Sequence, residues 1–128
     1  VSKHATLQGS LLGTGFPFRD QKDWLELYLD IFTDFTKIVG AIRRPGSAAL
    51  DLAYVASGRY DGFWEFGLKP WDVAAGVLLI QEAGGIVQNI IPDTDPVESG
   101  SLFCGNPKIF EGMQEIIHPY DKRLKAFA

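Results

Sequence analysis

Apolar residues recur along this chain in two alternating rhythms, one strand-like and one helical. Residues 11–18, LLGTGFPF, read as a short strand running into a Gly/Pro turn. Asp20 is placed to cap the next element. There Trp24, Leu27, Tyr28, Ile31 and Phe35 follow at helical spacing and make one face apolar. Residues 37–43 predict a second strand. Ser47 is a candidate cap for a second helix, SAALDLAYVAS, which Gly58 can end. Within it Ala49, Ala53 and Ala56 form a small-residue stripe suited to close packing on a sheet. Residues 62–66, GFWEF, predict a third strand. Pro70 suits the first turn of a third helix, which runs to Gly84-Gly85. Residues 86–91 make a fourth strand. Residues 92–100 form a turn-rich loop carrying Asp93, Asp95 and Glu98, and residues 102–104 a fifth strand. Asn106-Pro107 opens a last helix with Ile109, Phe110, Met113, Ile116 and Ile117 inward, interrupted at His118-Pro119.

The resulting order is βαβαβαββα. Repeated crossovers predict an α/β layered sandwich, with a mixed, largely parallel sheet of about five strands flanked by helices. No repeat or low-complexity tract divides the chain, so residues 1–128 read as a single domain. On such sheets ligands sit beyond the carboxyl ends of strands, where loops enter helices. That rule directs attention to Gly46-Ser47 and to residues 69–72.

Composition narrows the function classes. Of 128 residues, 46% are hydrophobic and 22% charged, enough apolar surface to offset the entropy of ordering. A formal charge of −4 argues against nonspecific binding to nucleic acid or to anionic membranes. The single cysteine, Cys104, forms no disulfide within the chain, and no membrane-spanning run or signal-like segment is present, which makes the cytoplasm the default location. A chain beginning at Val1 suggests a fragment, a processed product or a trimmed chain.

The segment most informative for chemistry is residues 65–85, EFGLKPWDVAAGVLLIQEAGG. Asp72 falls in the first turn of the predicted third helix. There an acidic side chain favours exposed amides and the positive end of the macrodipole. The functional alternative is a carboxylate ligand for Mg²⁺, a hard cation that prefers oxygen donors. One aspartate does not make a metal site alone. Glu65 is either a strand-end residue facing water or an acceptor for the adjacent hydroxyls of a polyol. Gly46-Ser47-Ala48 is either an ordinary glycine before a capped helix or a place where backbone amides approach a ligand closely. His4 and His118 lack metal spacing, and Cys104 lies in an apolar strand, which favours a structural thiol.

WDVAAG followed by EAGG resembles the C-terminal signature of the inositol monophosphatase family, W-D-x-A-A/G-G with E-A-G-G downstream. The resemblance runs from GTGFPF to the final helix, and GSAALDLAYVASG lies in the family's order. It implies a Mg²⁺-dependent phosphomonoesterase in which Asp72 is a metal ligand near a substrate hydroxyl. Glu65, seven residues earlier, corresponds to a substrate-contacting glutamate. Gly46, Ser47 and Ala48 line the alcohol pocket. Arg43 matches an arginine that orients that glutamate from the second layer of contacts, with Arg44 the alternative. Thr14 and Gly15 fit a loop near the substrate side in bacterial members. The family's remaining metal ligands come from an upstream Glu and a D-P-x-D-G-T type motif, and neither occurs in this sequence. The resemblance therefore implies the C-terminal half of a bacterial inositol-1-monophosphatase, inactive as an isolated chain and homodimeric when complete. Rivals are a related sugar or nucleotide phosphatase and a noncatalytic regulatory domain built on the same fold.

Overall fold

Each strand and long helix expected from the apolar pattern is formed in the computed structural model, which describes residues 1–16 and 24–127. The order is β1 (Leu11–Thr14), α1 (Leu25–Thr36), β2 (Ala41–Arg43), α2 (Ala48–Ala56), β3 (Gly62–Glu65), α3 (Pro70–Glu82), β4 (Ile86–Asn89), α4 (Pro96–Ser99), β5 (Leu102–Gly105) and α5 (Pro107–Ile117). Short helical turns follow to Phe127. The turn expected at Pro17-Phe18 and the cap expected at Asp20 lie outside the described residues.

The strands form one sheet in the order β2-β1-β3-β5-β4. β1 pairs in parallel with both β2 and β3, whereas β5 runs antiparallel to both β3 and β4. The sheet is mixed, as expected, but the pairings divide evenly, so the parallel share is smaller than the crossover pattern suggested. The reason is topological. The α3 crossover sets β4 parallel to β3 but one place away. The short return through α4 then fills the gap with a strand of opposite direction.

Alternation along the central strands divides the core into two layers. Trp64 and Phe103 meet Leu27, Tyr28, Ile31 and Phe35 of α1 and Ile109, Phe110, Met113 and Ile117 of α5. Trp64 stacks on Phe35 at 4.3 Å and Phe103 on Phe110 at 5.0 Å between ring centroids. On the other face Phe63, Leu102 and Cys104 meet Leu52 and Val55 of α2 and Val73, Val77 and Ile80 of α3.

Two local expectations differ from the structure. The loop at residues 92–100 contains a turn of helix, because Asp95 accepts hydrogen bonds from the Val97 and Glu98 amides at 2.8 and 3.0 Å and Pro96 opens the turn. The alanine stripe of α2 is not its sheet-facing side. Asp51, Leu52 and Val55 are buried there, while Ala49 is exposed and Ala53 and Ala56 are half-buried.

The outward faces of the two helical layers contrast. α5 presents Lys108, Glu111 and Glu115 to water. α3 presents Trp71, Ala74, Ala75, Leu78 and Leu79, and α2 presents Leu50; Trp71, Leu78, Leu79 and Leu50 are at least half exposed.

Candidate active site

The carboxyl ends of β1, β2 and β3 converge with the amino-terminal turns of α2 and α3 on one pocket of about 320 Å³. Its wall is built from Gly15 and Phe16 after β1, Arg44 after β2, Gly46, Ser47, Ala48 and Ala49 entering α2, Glu65 at the end of β3, Leu68 beyond it, and Asp72 of α3. The structure thus brings together Gly46, Ser47, Ala48, Glu65 and Asp72, which span residues 46–72. Gly46 has φ 92°, and its position is open, with no atom within 4 Å of where a side chain would begin. Backbone conformation, not crowding, asks for glycine there.

Asp72 sits one turn into α3 behind Pro70. Its carboxylate accepts a hydrogen bond from the Lys69 amide at 3.1 Å. This satisfies one of the donors that a helix start leaves without a partner. The end-capping reading of Asp72 therefore holds, and its place on the pocket wall leaves the ligand reading open as well.

Glu65 is buried, with 6% of its surface exposed. Its carboxyl is pushed up to about 8, mainly by burial and then by Asp51, with Arg44 opposing and Asp72 adding a smaller upward push. Arg43 does not stand beside it. Arg43 is exposed and, among the described residues, forms no ion pair. The guanidinium on the pocket wall is that of Arg44, lying 5.0 Å over the Phe16 ring. Successive residues leaving a strand point to opposite sides, so these two arginines do not share a face. Phe16 in turn sits edge-on to Tyr28 at 5.7 Å. Thr14 Oγ1 donates to the Trp64 carbonyl at 2.8 Å and lies 2.9 Å from the Tyr28 hydroxyl. Its one proton being committed, Thr14 accepts from Tyr28.

Sequence reasoning missed Asp51. It is 1% exposed on the sheet-facing side of α2, and neither carboxyl oxygen has a hydrogen-bond partner. Burial pushes its carboxyl up to about 6. The available signal was its place in line with Leu52 and Val55 inside an apolar helix. The other candidates fall away. His4 Nε2 lies 3.0 Å from the Gln8 carbonyl oxygen, and His118 is paired with Asp121 at 3.5 Å. Cys104 is buried, and its thiol donates to the Phe63 carbonyl.

The two raised carboxyls give stability a pH dependence of fixed sign. Folded, Asp51 and Glu65 hold protons that the unfolded chain, with ordinary carboxyls near 4, releases sooner. This contribution is fully present below about pH 4 and is lost as pH rises through about 6 for Asp51 and about 8 for Glu65. The melting temperature is therefore expected to fall between about pH 5 and about pH 8, and Glu65→Gln should flatten the upper part of that fall. A melting temperature that rose across this window would contradict the assignment.

The donor set suits a hard cation in kind, because Glu65 and Asp72 on the pocket wall offer carboxyl oxygens. It does not suffice in number: among the described residues, no three His, Cys, Asp or Glu side chains are placed to hold a metal together. Asp72 fits as one ligand of a shell that these residues do not complete.

The fold and pocket define an α/β sandwich with a carboxylate-walled cleft at its strand ends. Comparison with known proteins narrows this class. The sequence profile of the inositol monophosphatase family matches residues 1–122. The chain is 52% identical over 121 residues to the Nus factor SuhB of Pseudomonas aeruginosa, covering 94% of this chain and 45% of that protein. The crystal structure of the extragenic suppressor protein suhB from Bartonella henselae superposes with a TM-score of 0.84 at 38% identity, covering 91% of this chain and 44% of that one. The inositol monophosphatase from Anabaena (Nostoc) sp. PCC 7120 gives a TM-score of 0.82 at 39% identity, covering 93% and 49%. This chain belongs to the inositol monophosphatase family. It spans about half the length of the curated relatives it matches, 45% in the Pseudomonas case.

Proposed function

We propose that this chain is the C-terminal, alcohol-recognising half of a bacterial, cytoplasmic, Mg²⁺-dependent phosphatase that hydrolyses inositol monophosphate, homodimeric when complete. The observation that carries the reading is the convergence of Glu65, Asp72 and the Gly46-Ser47-Ala48 turn on one pocket. Asp72 would hold Mg²⁺ together with ligands from a preceding metal-binding half. When bound, the ion would supply electrostatic stabilisation and an activated water. Glu65 would contact the hydroxyls of the alcohol, and the backbone around Ser47 would limit its shape. Arg44 would face the pocket as the charge opposing Glu65, the role that the resemblance had given to Arg43. Isolated, the chain is expected to fold without catalysing. The test is phosphate release from inositol 1-phosphate with excess Mg²⁺, measured on this chain and on a protein that also carries the upstream ligands. Equal turnover from both would overturn the division of the site.

The apolar outer side of α2 and α3 supports the presence of a further layer, because a contiguous apolar patch left in water marks an interaction surface. Leu78→Glu combined with Leu79→Glu should shift the isolated chain toward monomer in analytical ultracentrifugation without lowering its melting temperature. Unchanged sedimentation would remove this support. The same face favours a second reading, a regulatory or interaction domain, since the Pseudomonas relative is named a Nus factor. No membrane partner is proposed; among the described residues, no helix is long and apolar enough to cross a bilayer.

A further inference from the structure

Gly15 differs in kind from Gly46 across the same pocket. Its backbone is not in the left-handed region, so its conformation does not call for glycine. Space does: a Cβ built on Gly15 would lie 1.6 Å from Glu65 Oε1, 2.4 Å from its carboxyl carbon and 3.2 Å from its Cγ. The Glu65 carboxyl thus occupies the volume that any side chain at position 15 would fill. The next residue, Phe16, carries Arg44 on its ring, and Arg44 is the cation that Glu65 senses most.

We propose that Gly15 is a positioning residue for Glu65. By lacking a Cβ it lets the carboxyl lie across the pocket wall, where it sets which ligand hydroxyls are accepted. This rests on the reading of the pocket as an alcohol site. The clash in Gly15→Ala falls on the far end of a flexible side chain, so Glu65 relieves it by swinging to another rotamer. Gly76 is the contrasting case: a Cβ there would meet Leu52 Cβ at 2.5 Å, inside the packed layer between α2 and α3. Gly15→Ala should therefore change the site with little change in stability, and Gly76→Ala should lower stability while leaving the site as it is.

The experiment is NMR on the 128-residue chain, carrying ¹³C-labelled glutamate, with myo-inositol as the probe. In the unsubstituted chain the Glu65 γ-protons should show cross-relaxation with the Gly15 α-protons. In Gly15→Ala that contact to position 15 should be lost and the Glu65 carboxyl resonance should move, while the melting temperature stays within a few degrees. Gly76→Ala, observed below its lowered melting temperature, should keep both Glu65 signals. If Gly15→Ala leaves the Glu65 resonance and its contact in place, or unfolds the chain as Gly76→Ala is expected to, the positioning role is overturned. Myo-inositol separates this from the underlying reading. If it perturbs the Ser47 and Glu65 resonances of the unsubstituted chain, and perturbs them at least several-fold less in Gly15→Ala, the positioning governs ligand acceptance. If inositol leaves the unsubstituted chain unchanged, the alcohol reading fails, and the Glu65 contact still decides the role of Gly15.

Discussion

Asp72→Asn is expected to lower phosphatase turnover by well over about 100-fold, in a protein that carries this chain together with the upstream ligands of the proposed reading. The comparison for scale is the outer shell of metal sites, where a lost hydrogen-bond partner already costs about 10- to 100-fold. Losing the charge of a direct ligand costs more. The substitution isolates that charge. Asparagine keeps the size of the side chain, and its carbonyl can still accept from the Lys69 amide, so the start of α3 and the melting temperature should be preserved. The check is a Mg²⁺ titration of turnover alongside thermal unfolding. Turnover like that of the unsubstituted protein at modest Mg²⁺ would refute the metal role. A fall in activity accompanied by unfolding would instead leave Asp72 as a helix cap.

The second large effect concerns stability. Gly100 ends the α4 turn with φ 68°, and a Cβ there would lie 1.7 Å from the Leu68 carbonyl oxygen. The two backbones are also joined by a hydrogen bond from the Leu68 amide to the Gly100 carbonyl at 3.0 Å. Neither partner can swing away as a side chain would. Gly100→Ala adds about 1 kcal/mol for the left-handed backbone to about 1–3 kcal/mol for forcing atoms into a packed space. A loss of at least about 2 kcal/mol corresponds to at least about 7 °C in melting temperature for a chain of this size. Gly84 provides the control: φ is 89°, but the space where a side chain would begin is open, so Gly84→Ala should cost only the backbone share. Calorimetry showing equal losses at both positions would refute the crowding argument. Leu68 lines the pocket just before Lys69 and Asp72, so displacing it should disturb the site as well as the fold.

What the sequence discloses, and what it hides, follows from how each feature is encoded. The faces of α1, α3 and α5 are legible because burial imposes a spacing on apolar residues. Glu65, Asp72 and the turn at Gly46 are legible because they stand at strand ends and helix starts inside a recognisable motif. The direction of β5 is hidden, since an apolar strand of four residues looks the same whichever way its neighbours run. Arg43 and Arg44 are adjacent and chemically alike, and only strand geometry decides which one faces the pocket. Gly15 reads as part of a loop near the substrate side, but its need to be glycine is hidden, because the Glu65 carboxyl that fills its space is fifty residues away. Asp51 does not stand out in the sequence, because the orientation that buries it is set by packing of α2 against α3 and the sheet.

The order of strands also bears on synthesis. β5 lies between β3 and β4, although it is made after both. As the chain leaves the ribosome, β4 has no slot in the sheet until residue 105 has emerged, and β3 keeps an open edge through the same interval. Unpaired strand edges are templates for wrong pairing, and they are here held open for the length of α3, β4 and the α4 turn. A stop codon anywhere between β4 and β5 would thus remove two strands from the sheet rather than one.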